Sequence, residues 1–251
     1  QIPTFAVSRL ARSEVIVSLS GDAGDELFGG YNRYTSVPSL RQRSERVPAP
    51  LRRAGVRLGS LPPSWWDRLA GVVPERRRPQ QLALKIEKAL DVVGAATPHE
   101  AFLRLVTHCP DPAALVIGGV EPPTMHTDRS RWPAVDGIVP HMMAVDAVTY
   151  LPDDILVKVD RATMAVSLEA RVPLLDRDIV EFAAGLPMSL KIRPGRSKWL
   201  LREVLDRYVP RQLVDRPKSG FGLPIEDWVR GPLRRSGCWT GCWRARRPRR
   251  R

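Results

Sequence analysis

The stretch from Glu14 to Tyr34 constrains the fold more than any other part of the chain. Val15 to Leu19 is a short apolar, β-branched run, the pattern of a strand buried in a parallel sheet. It stops at Ser20-Gly21. Ser20 or Asp22 can then cap a helix whose positive end Asp25 and Glu26 favour. Gly29-Gly30 can close that helix, because glycine tolerates the left-handed backbone that ends helices. The unit expected is a strand, a tight turn and a short acidic helix. In open α/β folds, ligands sit beyond the carboxyl ends of the strands. Backbone amides at such a turn suit phosphate. The carboxylates Asp22, Asp25 and Glu26 suit a divalent metal or proton transfer. The same residues would also serve as an acidic strand-to-helix connection with no ligand, and the chemistry alone leaves both readings open.

A chain of 251 residues with 43% hydrophobic content can bury a sizeable core in one or two domains. No apolar run of about 18 residues is present, so no membrane-spanning helix is expected. The start, Gln1-Ile2-Pro3-Thr4, lacks an initiator Met and a signal-peptide layout, and a strand so close to it fits the interior of a larger protein. Of the net +13 charge, eight arginines unopposed by any acid fall between Gly231 and Arg251. Such an end could hold nucleic acid electrostatically, but a disordered tail without that role fits the composition better. Cys109, Cys238 and Cys242 have no metal-ligand spacing with a His or further Cys. A reducing, cytoplasmic setting suits them.

Pro3 to Arg12 can form a helix with Phe5 and Leu10 on an apolar side. Residues 37–79 are interrupted by prolines from Pro38 to Pro79, which predicts short broken helices with mostly solvated arginines. Trp65-Trp66 reads as local packing. Gln80 to Val93 carries Leu82, Ile86 and Leu90 at helical spacing. Thr97 and Glu100 form a capping box around Pro98, ahead of Phe102, Leu103, Leu105 and Val106. Residues 109–139 read as a variable connection. His99, His108, His126 and His141 are scattered in sequence and carry no metal-binding spacing.

Met142 to Asp178 is the second informative stretch. Pro152 is expected to break one helix, and Asp153 or Asp154 to cap the next. Ile155, Val159, Ala162 and Val166 then form one apolar stripe. Asp154, Lys158 and Arg161 fall on another line, with Asp160 beside them, and Val157, Met164 and Leu168 lie beyond. A charged row between apolar rows fits a semi-buried structural network or one wall of a cleft, and both stay open. Asp176 is expected to cap a helix closed by Gly185, and Ser197 to Val209 to form another. Asp215 to Pro224 reads as a cationic loop from which Lys218 could reach a phosphate.

Together, Ser18–Tyr31, Lys158–Asp176 and Asp215–Pro224 resemble three ordered motifs of the synthetase domain of glutamine-dependent asparagine synthetases. The resemblance covers about residues 1–234. It implies an α/β parent of the adenine nucleotide α-hydrolase (ATP pyrophosphatase-like) kind. This portion of it would be predominantly α-helical, with one or two short parallel strands. It implies an ATP-dependent amide ligase that turns aspartate into asparagine through β-aspartyl-AMP, with ammonia from glutamine, ATP and Mg²⁺. By the same resemblance Ser20 and Gly21 contact ATP and Asp25 binds Mg²⁺-pyrophosphate. Lys218 steadies the leaving pyrophosphate. Asp22 stands at an acidic position, often Glu in relatives, that serves aspartyl-AMP formation and the incoming ammonia. A homodimeric parent stays open.

The family's Ser-Gly-Gly-x-Asp-Ser pyrophosphate loop and its glutaminase Cys are absent from these 251 residues, so an additional N-terminal domain is expected. Residues 235–251 lack a helical period and are expected to be disordered. A frameshifted or misassembled end accounts for them better than a nucleic-acid arm. The rival readings are a β-lactam synthetase or peptide-cyclising relative, a basic nucleic-acid-binding protein, and an inactive fragment.

Overall fold

The computed structural model describes residues 1–48, 50–51, 54, 88–90, 92–107, 109, 111–214, 223 and 225–231. The expectations for Trp65-Trp66, residues 80–87, His108, the Lys218 loop and the tail from 235 lie outside these. The chain divides into two units, Gln1–Tyr208 and Val209–Arg251. In the second, α10 (Arg211–Val214) and α11 (Ile225–Arg230) are described.

The first unit is mostly helical around a short parallel ladder. Helix α1 (Ile2–Arg12) starts with proline in its first turn, where the missing N–H costs nothing, and ends with Arg9 and Arg12 at its negative end. Strand β1 (Val17–Leu19) pairs in parallel with β2 (Glu169–Arg171), Val17 opposite Glu169 and Leu19 opposite Arg171. The buried strand expected from Val15 is therefore corrected twice. It is shorter, and Ile16 and Leu19 are 66% and 74% exposed. Among the described residues the ladder has only these two strands, so β1 lacks the flanking partners that would bury both its faces.

Helix α2 (Gly24–Phe28) follows, and α3 (Arg33–Glu45) contains Pro38 rather than breaking at it. Tyr34 and Val37 beside that proline are buried. Burying such side chains, at about 1.5–3 kcal/mol each, offsets a backbone bond that Pro38 cannot donate. Nor are the local arginines all solvated: the Arg41 guanidinium donates to the Ala95 carbonyl at 2.6 Å.

Helix α4 (Pro98–Val106) has the expected cap, with the Thr97 hydroxyl accepting from the Glu100 N–H at 3.1 Å. The Glu100 carboxylate reaches back to the Ala96 N–H at 2.7 Å, one residue earlier than a capping box requires. Helix α5 (Ile138–Val148) ends at Thr149, and a π-helical segment, Leu151–Leu156, runs directly into α6 (Val157–Met164). As expected, one helix ends just ahead of Pro152: α5 stops at Val148, with Thr149 out of helical conformation, and Pro152 lies in the first turn of the next segment, but neither Asp153 nor Asp154 caps it. The cause is the same position-dependence seen at Pro3: a first-turn proline has no intrahelical bond to lose. Helix α7 (Arg177–Gly185) is capped by the Asp176 carboxylate, which accepts from the Asp178 N–H at 3.0 Å. Helices α8 (Met188–Lys191) and α9 (Trp199–Leu205) complete the unit, α9 being shorter than the span from Ser197 to Val209.

The hydrophobic core is helical. Tyr34 and Val37 of α3, Val92, Ala95, Ala101 and Phe102 around α4, and Met142, Met143 and Val145 of α5 pack together. Helix α2 packs against α5 on this side and against α7 and α9 on another. The turn after β1 is thus carried between the ladder and the core.

Candidate functional site

The site is built where β1 stops. The Ser20 N–H donates to the Arg171 carbonyl at 2.8 Å, extending the ladder by one bond. The chain then turns sharply. The Ser20 hydroxyl donates to the Asp22 carboxylate and accepts from the Asp22 N–H at 3.3 Å. These bonds hold the turn itself; they are not the helix cap expected from Ser20 or Asp22. The residue before α2 is Ala23, buried and left-handed at φ 67°. That conformation costs a non-glycine residue about 1–2 kcal/mol. A strained buried residue at a turn marks a backbone held in a set path. A Cβ at Gly21 would meet nothing within 4 Å, so the turn is open on that side.

Helix α2 then closes at Gly29, left-handed at φ 71°, as expected. The position of Gly29 beside Ile192 leaves no room for a side chain. Gly30 has a different reason to be glycine: a Cβ there would overlap the Asp25 carboxylate and the Lys198 side chain. Those two side chains form an ion pair, Lys198 Nζ to Asp25 Oδ2, at 2.9 Å. Lys198 is itself left-handed, at φ 52°. It is delivered by a turn in which Arg193 and Arg196 exchange backbone bonds around Gly195. Arg193 stacks over Trp199, and Arg196 is tied to Glu203 at 2.7 Å and Asp206 at 3.0 Å. Leu174, from the turn after β2, and Leu201 lie against Gly24. The strand–turn–helix unit and the turn after β2, two of the three informative stretches, therefore meet.

Behind the turn lies a buried polar layer. Glu26 is 2% exposed and accepts from the Tyr31 hydroxyl at 2.6 Å. Burial raises its carboxyl above the usual range, against the lowering effect of the Tyr31 bond. Asp146, 1% exposed, accepts from the Tyr34 hydroxyl at 2.6 Å and pairs with Arg33 at 2.8 Å. Burial raises its carboxyl too, with Tyr34 and Arg33 acting the other way. The Arg33 guanidinium lies 4.1 Å from the Tyr31 ring centre and 5.1 Å from that of Tyr150. These groups fix α2 to α3 and α5 through charge-assisted bonds.

Ser20, Gly21, Asp22 and Asp25 are thus brought together within one turn. Asp154 and Lys158 pair at 2.9 Å, while Arg161 is 75% exposed and, among the described residues, pairs only with its neighbour Asp160, at 3.9 Å. The charged row is a mostly exposed pair of pairs, not one semi-buried network. Its link to the site runs through Tyr150, whose ring meets that of Tyr31 at 5.7 Å. Burial raises the Tyr150 phenol, Asp154 raises it further, and Lys158 acts the other way.

Sequence reasoning missed Lys198 and the Arg33–Asp146 pair. Lys198 stands just before a helix start in a left-handed conformation that no residue type announces. Asp146 is 113 residues from Arg33 and sits in an apolar helix. A lone acid in such a helix was the available signal. Two of the histidines scattered in sequence meet in space. His99 and His141 meet at 4.4 Å between ring centres, and Trp132 lies 4.7 Å and 4.8 Å from them.

Among the described residues no group of three or more His, Cys, Asp or Glu could hold a metal ion, and no helix is long and apolar enough to cross a membrane. Asp25 could supply one carboxylate to a hard cation whose other ligands come from elsewhere. That suits Mg²⁺, which is commonly held by one or two carboxylates together with substrate phosphates and water.

The family model for asparagine synthase matches residues 1–237. A Mycobacterium tuberculosis (strain ATCC 25618 / H37Rv) protein, named provisionally as a glutamine-hydrolysing asparagine synthetase, is 35% identical over 234 residues. The match covers 91% of this chain and 33% of that protein. Asparagine synthetase (glutamine-hydrolysing) 1 of Bacillus subtilis (strain 168) is 33% identical over 236 residues, 92% of this chain and 34% of its own length. No solved structure matches. The chain spans about a third of the length of these curated relatives.

Proposed function

The chain belongs to the asparagine synthase family, and from that premise we propose that it is part of an ATP-dependent amide ligase of asparagine biosynthesis. Its fold would then be the carboxyl-terminal part of an adenine nucleotide α-hydrolase (ATP pyrophosphatase-like) domain. The observation that carries the reading is the opposed Asp25 and Lys198 pair beside the open Ser20–Gly21 turn.

A carboxylate is a poor electrophile. Transfer of AMP to the aspartate side chain gives it a leaving group, and pyrophosphate departs. Ammonia then attacks the acyl carbon, giving asparagine and AMP. Mg²⁺, when bound, supplies charge neutralisation on the phosphates. This chain's own residues have separable tasks. Ser20 and Gly21 form the backbone wall along the phosphates. Asp25 holds the metal side of the pyrophosphate, and its ion pair with Lys198 opens as phosphate arrives. Lys198 then neutralises the departing charge, and the resemblance to the family assigns Lys218 to the leaving pyrophosphate. Asp22, restrained by Ser20, faces the reacting carboxylate and the incoming amine. The buried layer of Glu26, Tyr31, Arg33 and Asp146 keeps α2 still while charge changes around it.

The test is a chimaera in which residues 1–234 replace the matched region of the Bacillus subtilis relative. Asparagine, AMP and pyrophosphate formed from aspartate, ATP and glutamine support the reading. A chimaera that cleaves ATP with no dependence on aspartate contradicts it, and a β-lactam or cyclic-peptide substrate class would then take its place. We also propose that the 251-residue chain by itself does not make asparagine, since it lacks the family's pyrophosphate loop; asparagine from the purified chain with ammonia would refute that.

A further inference from the structure

Residues 124–132 bond to themselves rather than to the helices they cover. The Thr127 and Asp128 N–H groups donate to the Thr124 carbonyl at 3.2 Å and 2.9 Å, and the Thr124 N–H donates to the Thr127 hydroxyl at 2.9 Å. The Ser130 N–H donates to the Asp128 carboxylate at 2.9 Å, and the Arg131 and Trp132 N–H groups donate to the Asp128 and Arg129 carbonyls. Among the described residues, no hydrogen bond or ion pair ties this segment to α4 or α5. Left-handed glycines stand on either side, Gly118 at φ 71° and Gly137 at φ 91°, and Pro122, Pro123 and Pro133 have no N–H to donate. The segment is a self-bonded unit between two hinges.

Rings hold it in place. Trp132 stacks on His99 of α4, with planes 14° apart and centres 4.7 Å apart, and meets His141 of α5 edge-on at 4.8 Å. His99 and His141 are themselves 4.4 Å apart. Met125 packs against the core, and the His126 ring lies 6.1 Å from that of Phe102. Both His99 and His141 fall in the opening turns of their helices, where a positive charge opposes the dipole. The charges that act on them are also positive: Arg129 on His99, and His99 and His126 on His141. Asp146 acts on His126. The other charged groups on the packed elements are engaged elsewhere. Glu100 binds the Ala96 N–H and Arg104, Arg33 pairs with Asp146, Arg41 binds the Ala95 carbonyl, and Asp128 binds Ser130.

We propose that the stack of His99, Trp132 and His141 is an acid-sensitive latch, which holds residues 124–132 on α4 and α5 at neutral pH and releases them on mild acidification. One imidazolium against an aromatic face is tolerated. A second puts two like charges in ring contact, partly buried, where salt and water screen them little. Once the segment leaves, His99 and His141 face water and titrate near their ordinary value of about 6.5. The latched state therefore binds fewer protons, and it loses ground as pH falls below that value. Release that takes up two protons steepens to about a hundredfold per pH unit.

Methionine oxidation by hydrogen peroxide reads the latch in the full 251-residue chain. Met125 lies in the segment, Met164 is 62% exposed and serves as the internal standard, and Met188, packed against the core from α8, reports unfolding of the core as a whole. From about pH 7.5 to about pH 5.5, either side of the ordinary histidine value, oxidation of Met125 relative to Met164 should rise at least tenfold. More than one proton should be taken up at the midpoint, with Met188 and circular dichroism unchanged. His99→Phe and His141→Phe each keep a ring in the stack and should lower the proton uptake to one or less. A flat Met125 profile in the parent chain overturns the proposal, whether or not the variants fold. So does a rise matched at Met188, which would mean that the core unfolds as a whole. A rise of unchanged steepness in both variants, with the parent chain's circular dichroism, also overturns it.

Discussion

Gly30→Ala separates the architecture of the site from its chemistry. Gly30 is not in the left-handed region, so alanine fits the backbone and, by narrowing the unfolded ensemble, contributes about 0.4–1 kcal/mol of stability. Against this, the new Cβ would overlap the ends of the Asp25 and Lys198 side chains. Both are flexible, so they swing away and the pair is lost. Their side chains are 32% and 27% exposed, so solvent screens the pair and its loss costs about 0.2–1 kcal/mol. The two contributions nearly cancel. Thermal unfolding of the full chain should move by no more than about 2–4 °C. In the chimaera, by contrast, the displaced carboxylate and ammonium should raise the KM for MgATP at least tenfold and leave the KM for aspartate unchanged. An unchanged KM for MgATP would refute the assignment of Asp25 and Lys198 to the phosphates. A stability loss well beyond about 1 kcal/mol would refute the packing argument.

Asp146→Ala should destabilise the full chain by about 3–5 kcal/mol in urea unfolding, because it leaves the Arg33 guanidinium facing a buried gap. A loss under 1 kcal/mol would show that the pair is not a structural anchor. Thr97→Ala removes the hydroxyl that accepts from Glu100 and should cost about 1 kcal/mol by the same measurement. Burial holds His99, His126 and His141 below the usual histidine range. Arg129 also lowers His99, His99 and His126 lower His141, and Asp146 opposes the shift at His126. The folded state therefore binds fewer protons than the unfolded one. Stability should fall as pH drops below about 6.5, by at most about 1.4 kcal/mol per pH unit for each histidine. His141→Phe should flatten that decline, and an identical pH profile would contradict the assignment.

Local punctuation was legible in the sequence. The Thr97 cap, the Asp176 cap and the Gly29 closure each depend on residues within four positions, and each formed. The strand–turn–helix order around Ser20 was legible for the same reason. What failed depended on partners distant in sequence. Burial of β1 was read from its composition, yet composition cannot say whether flanking strands are present. Pro38 was read as a break. In fact, it is outweighed by the burial of Tyr34 and Val37. The charged row from Asp154 to Arg161 was read as either a semi-buried network or one wall of a cleft, because helical spacing aligns the side chains. Alignment brings neighbours near but does not bury them, and Arg161 stays in solvent. The site was half legible: Asp25 sits in a motif, whereas its partner Lys198 comes from a turn more than a hundred residues on, fixed by Arg193, Gly195 and Arg196.

Under the proposed function, the turn after β1 serves transfer of AMP to an aspartate carboxylate. The most direct measurement uses aspartate labelled with ¹⁸O in its side chain, turned over by the chimaera with ATP and ammonia. When ammonia displaces AMP at the acyl carbon, one carboxylate oxygen leaves with the phosphorus. One ¹⁸O atom is expected in the AMP for each asparagine formed, with loss of that label in the Asp25→Ala chimaera. Asparagine formed alongside unlabelled AMP, or alongside ADP and phosphate, would contradict it.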